Sequence, residues 1–381
     1  MNSFVLFYRK YHYSNFVMVM CLCLLVISAR CEAADAEPNN LPKYIAADPR
    51  PFTPSRGYVC QRADGPIVID GKLDEPAWQR AARTESFVDI QGQMRPVAPR
   101  HETHARMLWD DSYFYVGARL EEPHVWGTIT ERNAVIFHDN DFEVFIDPDG
   151  DCHDYYEFEV NALNTVWNLY MDRPYKHGGN ATIREMPGQL SQVHVKGTLN
   201  DTSDRDAYWS VEIAFPWAGM TEHAGCPCPP RDGDIWRVGF SRVQWHHRVQ
   251  DGRYLRIPAR GEETDGHRED NWIWSPQGVI NMHRPETWAR VQFSTKPAGS
   301  SVALAPDPAA ETRYHLVKVL YAQEAFRKRH GSYAKKLEDL DLTPSDFSAK
   351  MTSDGDTYRA SMMLDNGKTL TIQYDGRLWV E

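Results

Sequence analysis

The chain has 381 residues, 42 % of them hydrophobic, which is long enough for two domains and a sizeable core. Its formal charge is −11, from 42 basic against 53 acidic side chains, so nothing in the composition suggests a polyanionic partner and no nucleic acid is expected. Eleven of the twelve tryptophans lie between Trp78 and Trp288, so one aromatic-rich domain fills the middle of the chain.

At the N-terminus, Arg9 and Lys10 precede an apolar run from Phe16 to Ile27. Small residues follow, including Ala34-Asp35-Ala36, which completes the three-part form of an export signal. The run is shorter than the ~20 apolar residues that span a bilayer. Arg30 also stands where a lipid-attachment motif before Cys31 wants a small residue. The expectation is a signal peptide over residues 1–36, no membrane span once it is cleaved, and a periplasmic, cell-surface or extracellular protein. Cleavage removes Cys21, Cys23 and Cys31 and leaves Cys60, Cys152, Cys226 and Cys228. An even number in an oxidising compartment permits disulfides, with three pairings open. Cys226-Pro227-Cys228 lacks a second close pair, so a loop staple is expected there rather than a metal knuckle.

Residues 37–60 carry Pro and Ala with few periodic apolar positions and read as a leader. Ile67-Val68-Ile69 then predicts a short buried strand, followed by an Asp70-Gly71 turn. A helical turn comes next, capped by Asp74, with Pro76 near its start and Trp78 packing back on a sheet. Tyr113 to Leu120 alternates. So does Asp141 to Tyr170, which predicts strand, turn, strand, bend, strand. In its first strand Phe142, Val144 and Ile146 share one face while Glu143, Phe145 and Asp147 share the other. In the second, Tyr156, Phe158 and Val160 oppose Tyr155, Glu157 and Glu159. Asp147-Pro148-Asp149-Gly150-Asp151 between them is turn chemistry. Further strands are predicted over 208–215, with Trp209, Val211, Ile213 and Phe215 inward, over 234–245 and over 289–294. Many short strands and no long helical pattern argue a mainly β chain, an antiparallel β-sandwich over residues 61–296. Residues 297–310 read as a linker. A helix follows, with Asp307 placed to cap it, Pro308 at its first position, a stripe of Leu316, Val319, Leu320 and Phe326, and Gly331 as its stop. Two strands joined by an Asp365-Asn366-Gly367 turn then complete a small α+β appendage over 311–381.

Four blocks resemble the family 9 carbohydrate-binding modules, which share their fold with the DOMON group of β-sandwiches. They are Ile69-Asp70-Gly71-x-Leu73-Asp74-Glu75-x-x-Trp78, Leu108 to Val116, Asp141 to Asp147, and Phe158-Glu159-Val160-Asn161. The resemblance implies an exported, non-catalytic protein that binds a poly- or oligosaccharide in carbohydrate breakdown. It also implies a sugar clamp of two tryptophans. Here those positions hold Phe137 and Met282, the latter beside His283. Glu143 matches the family's carboxylate, whereas the family's Arg is replaced by Glu159. Sugar recognition needs flat aromatic faces with polar groups at the rim, and Trp245, Trp272 and Trp274 are candidate replacement plates. Trp78, Trp109 and Trp209 read as core.

The family also binds calcium structurally, which makes Asp147, Asp149 and Asp151 candidate ligands. A plain turn uses the same residues, and Gly150 falls too early for an EF-hand loop. Two other classes of function are carried as alternatives. A glycoside hydrolase would place two of Asp141, Glu143, Glu157 and Glu159 about 5–9 Å apart across a bond. A haem-binding DOMON-type redox module would draw axial ligands from Met171, Met282 and His283.

Overall fold

A computed structural model describes residues 55–257, 269–342 and 349–381. The signal segment and most of the leader fall outside them. In chain order the strands are β1 (Gly57–Arg62), β2 (Val88–Asp89), β3 (Thr103–Trp109), β4 (Tyr113–Glu121), β5 (Asp141–Asp147), β6 (Tyr155–Asn161), β7 (Val166–Met171), β8 (Ala181–Ile183), β9 (Leu190–Lys196) and β10 (Tyr208–Pro216). They continue with β11 (Ile235–Gln244), β12 (His247–Gln250), β13 (Arg253–Arg256), β14 (Asp270–Ile273), β15 (Ala289–Pro297), β16 (Lys350–Ser353), β17 (Tyr358–Met363), β18 (Thr369–Gln373) and β19 (Leu378–Val380). The helices are α1 (Pro76–Arg80) and α2 (Ala310–His330). None of the described helices is long and apolar enough to cross a membrane.

The main sheet follows the order β8-β7-β6-β5-β11-β15-β1-β3-β4-β10-β9, with β14 and β2 attached beside β11. Phe142, Val144, Phe158 and Phe240 from one part of this path meet Met107, Phe114, Val211 and Ile213 from the other in a single core. That is a sandwich, as the alternation predicts. It is not wholly antiparallel, because β1 runs parallel to both β15 and β3 and joins the two layers. β1 begins at Gly57, so the leader ends earlier than the composition suggests. Trp109, Trp209, Trp236 and Trp274 are sealed in this core, each stabilising it by about 2–3 kcal/mol of apolar burial.

The Ile67–Ile69 segment is not a strand, and Val68 is 60 % exposed. Its role is to bring Asp70 and Gly71 to Glu212, whose Oε2 accepts both their N–H groups while Oε1 accepts Trp78 Nε1 at 2.7 Å. Three donors thus converge on one carboxylate beneath α1. The helix starts one residue later than Asp74 implies, with Glu75 as its cap position and Pro76 first.

No disulfide forms among the described residues: Cys60, Cys152, Cys226 and Cys228 are free. Cys60 lies in the sandwich core, Cys152 packs with the C-terminal domain, and Cys226 Sγ accepts Trp236 Nε1. The expected loop staple is therefore replaced by packing.

Residues 298–309 are coil that lies along the sandwich rather than a free spacer. Gln61 binds Ser300 O, Gln292 Oε1 accepts Ala305 N, and Arg290 binds Ala305 O. α2 starts at Ala310, and Asp307 faces Arg290 and Arg313 at 3.7 Å instead of capping the helix. The stripe of Leu316, Val319 and Leu320 packs on the sheet β16-β17-β18-β19, and Gly331 ends the helix in the left-handed region. This domain docks on the β5–β6 turn. Leu378 N binds Asp151 O at 2.9 Å, Arg377 Nε binds Asp151 Oδ2 at 2.7 Å, and Tyr321 meets Arg284 and Glu286.

Candidate functional site

The faces of β5, β6 and β11 turned away from the core are as buried as the faces within it. Pairing fixes what they present. Ser241 on β11 lies opposite Glu143 on β5, which lies opposite Glu159 on β6, which lies opposite Trp167 on β7. Opposite residues of an antiparallel ladder share a face, and Asp141 and Glu157 fall on that face by the same alternation. Four carboxylates are thereby gathered under one surface, each 5 % exposed or less.

Aromatic groups border this strip at both ends. Phe137 sits in a short turn, Ile136–His138, held by Asp139, which accepts Thr128 N, Ile129 N, the Thr128 hydroxyl and Asn161 Nδ2. Its half-buried ring stacks on Trp167 with centroids 6.4 Å apart and planes 29° from parallel. Met282 packs against the Trp126–Val243–Trp245–Tyr254 cluster, as Phe137 does, and also against the Phe145–Tyr155–Met171–Trp288 cluster. Its carbonyl accepts Trp288 Nε1 and Gln277 Nε2 at 3.1 Å. Trp288 can lie over β11 because residue 239 is glycine; a Cβ there would stand 2.9 Å from the indole. The two clamp positions, far apart in the chain, thus converge on one surface.

The carboxylates are crowded. Asp141 Oδ1 accepts Val243 N and Glu159 Oε2 accepts Phe137 N, both at 3.1 Å, while Asp141 Oδ2 and Glu143 Oε2 have no hydrogen-bond partner among the described residues. Burial raises Glu143 to about 7 against the pull of the neighbouring Ser241 hydroxyl. Burial first, and then one another's charge, push Asp141, Glu157 and Glu159 well above the usual carboxylate range.

The remaining expectations meet mixed outcomes. Trp272 and Trp274 are 3 % and 0 % exposed and belong to the sandwich core, so neither offers a plate. Trp272 carries Arg242 over its ring, and Trp274 stacks on Phe240 while its Nε1 binds Glu85. Trp274→Phe is therefore expected to lower stability by about 1–2 kcal/mol, through lost volume and one lost hydrogen bond, without altering ligand affinity. A urea midpoint beside a binding titration checks this. Trp245 is also buried: Arg256 covers its ring at 4.3 Å and its Nε1 binds Phe137 O, so it supports Phe137 instead of stacking on a ligand. His283 lies at the Met282 end, sharing a 2.9 Å hydrogen bond with the Tyr155 hydroxyl and held near pKa 4 by burial. Met171 is sealed beside Tyr155 and Trp288. Asp141, Glu143 and Glu159 pack as one group rather than as two carboxylates flanking a gap.

Trp167 is the site residue that the sequence reading passed over. The available signal was its place in the hairpin, where counting back from the 162–165 bend sets it opposite Glu159.

At the β5–β6 turn, Asp147, Asp149 and Asp151 each bring an oxygen within 4.8 Å of the others, and burial and mutual repulsion raise Asp149 to about 6. Asp147 nevertheless gives its oxygens to Gly150 N and Cys152 N, and Asp151 gives its own to His153 N and Arg377. The turn and the Arg377 guanidinium therefore take one lone pair of each of these oxygens and share them with any calcium ion, and the fit is partial.

Residues 69–233 match the family described as carbohydrate family 9 binding domain-like. Among curated proteins, Exoglucanase XynX of Acetivibrio thermocellus is 25 % identical over 157 residues, 41 % of this chain and 12 % of that protein. Endo-1,4-beta-xylanase A of Thermotoga maritima is 30 % identical over 105 residues, 26 % of this chain and 9 % of that protein. The chain thus spans only a small part of the length of either relative. Among solved structures, a family 9 carbohydrate binding module from Caldicellulosiruptor kristjanssonii in complex with cellotriose aligns over 65 % of this chain and all of that one, at 14 % identity and TM-score 0.39. A putative carbohydrate-binding protein from Bacteroides uniformis aligns over 63 % of this chain and all of that one, at 14 % identity and TM-score 0.44. By the family match, and by the four sequence blocks that fall within it, residues 69–233 are carbohydrate family 9 binding domain-like.

Proposed function

We propose that this protein is an exported, non-catalytic carbohydrate-binding protein that captures poly- or oligosaccharides for their breakdown. The ligand lies on the outer face of β5, β6 and β11. Phe137 and Trp167 take the apolar face of a pyranose, Met282 closes the opposite side, and the carboxylates beneath set the orientation of the hydroxyls. The observation that carries this reading is the stacked, half-buried pair of Phe137 and Trp167 beside Glu159, whose ladder partner is Glu143.

The full chain titrated calorimetrically with glucose, cellotriose and xylotriose tests it. Phe137→Ala is expected to weaken the best ligand about tenfold or more, ~1.4 kcal/mol, with the melting temperature nearly unchanged. Phe137→Trp is expected to hold affinity or raise it. No reducing sugar is expected to be released from any of the three. Affinity indifferent to residue 137 would remove the stacking pair from the site, and heat from none of the sugars would overturn the reading.

A further inference from the structure

We propose that Asp141, Glu143 and Glu159 hold a hard divalent cation of the calcium type, whose open coordination positions receive saccharide hydroxyls. The proposal rests on the carbohydrate-binding reading and names how the ligand is held.

Geometry comes first. One oxygen from each of the three carboxylates lies within 4.8 Å of the others. Calcium takes oxygen ligands at about 2.3–2.6 Å, so two ligands of one ion stand no more than ~5 Å apart. The three oxygens are therefore spaced to be shared by a single ion.

The second observation is a set of buried polar atoms short of hydrogen-bond partners. Ser241 is 0 % exposed and lies across the ladder from Glu143; its hydroxyl acts on that carboxylate and has no other partner among the described residues. Asp141 Oδ2 and Glu143 Oε2 have no hydrogen-bond partner among the described residues, although the other oxygen of Asp141 is anchored by Val243 N. An unpaired buried carboxylate is costly, and an isolated charge far more so. Buried groups in this state are explained by a missing partner.

That partner must be a cation. Among the described residues, the charged groups acting on these carboxylates are one another, Glu157, Asp139 and Glu269, all acidic. The donors are all oxygen, with neither thiolate nor imidazole, which selects a hard ion such as Ca²⁺ over zinc or copper. Glu159 adds a third carboxylate to Asp141 and Glu143, and the described residues that act on it bring no neutralising charge. The three carboxylates and Ser241 leave coordination positions open in a sphere of 6–8. Two neighbouring hydroxyls of a pyranose seated on Phe137 and Trp167 would complete it.

The test uses the full chain, stripped with EDTA and titrated by calorimetry with Ca²⁺ alone, then with cellotriose and xylotriose in excess Ca²⁺ or in EDTA. Uptake of one ion is expected. Saccharide affinity should fall at least tenfold in EDTA. Glu143→Gln/Glu159→Gln should lose Ca²⁺ binding while melting no lower than the parent. Asp149→Asn, in the β5–β6 turn, should keep it. Saccharide binding indifferent to EDTA would overturn the ion and leave the carbohydrate reading standing. Ca²⁺ uptake with no saccharide bound would support the ion site and overturn the carbohydrate reading. Uptake abolished by Asp149→Asn but not by the double variant would move the ion to the turn and overturn the proposal. Neither ion nor sugar bound would overturn both.

Discussion

Replacing Glu143 and Glu159 together by glutamine is expected to stabilise the protein at about pH 8 in EDTA, and to have little effect at about pH 5. The sign follows from linkage. In the folded state burial raises Glu143 from 4.5 to about 7 and holds Glu159 well above its ordinary range. The folded chain therefore binds more protons than the unfolded chain between those limits, and each such carboxyl subtracts stability as pH rises through them. At about pH 5 the parent's carboxyls are protonated in the fold and resemble the amides that replace them. Above about pH 7 the parent must ionise them in a buried site, whereas the variant has nothing to ionise. For Glu143 the difference amounts to about 3 kcal/mol at about 1.4 kcal/mol per pH unit, and Glu159 acts in the same direction. Comparing variant with parent at each pH cancels the buried histidines. His104, His247 and His283, each held near 4, act oppositely across the same range. Urea midpoints at the two pH values provide the measurement. A double variant less stable than the parent at about pH 8 would mean the carboxylates are satisfied in solution without an added ion.

Strand alternation made most of the β5–β6–β7 hairpins legible, because a period of two sorts side chains onto faces whatever lies beyond them. What alternation does not report is which face is turned inward. Trp272 and Trp274 alternate along the chain, yet both side chains lie in the sandwich core, Trp272 under the Arg242 guanidinium and Trp274 against Phe240. The same gap explains Glu143 and Glu159. A carboxylate strip reads as solvent-facing, but this one is buried, with the turn carrying Phe137 and the segment carrying Met282 packed at its borders. Phe137 and Met282 themselves became visible only through resemblance, because nothing local in either segment marks a ligand contact. Ile67-Val68-Ile69 shows the opposite error. Three β-formers in a row suggested a strand, but the chain there is committed to bringing Asp70 N and Gly71 N to Glu212. The cysteines misled for a simpler reason. Their even number allows pairing, but Cys60 and Cys152 lie in different hydrophobic clusters.

Arg242→Ala is expected to remove about 3–5 kcal/mol, a large part of the 5–15 kcal/mol that typically separates folded from unfolded chains. The guanidinium is completely buried at the end of the core and joins the two layers. Nη1 binds the Thr103 hydroxyl, Nη2 binds Glu121 O and Glu122 Oε2, and Nε binds Gln244 Oε1, all between 2.9 and 3.1 Å. The same group lies 5.1 Å from the centre of the Trp272 ring. Truncation deletes this packing and, more seriously, leaves the Glu122 side chain at 2 % exposure with its cationic partner gone and Gln244, Asn140 and its own turn as the hydrogen-bond partners among the described residues. A buried pair contributes little net stability, but half a pair is strongly destabilising. Burial already pulls Arg242 down to about 10, which shows how far the site opposes a charge even when it is paired. The Arg242→Met/Glu122→Gln double variant is therefore expected to recover much of the loss, because neither remaining group carries an unanswered charge. The double-mutant coupling should fall at the upper end of the 0.5–3 kcal/mol range for residues in one network. Chemical denaturation of the parent, both single variants and the double decides the matter. Additive losses would mean that Arg242 acts only by filling space beside Trp272.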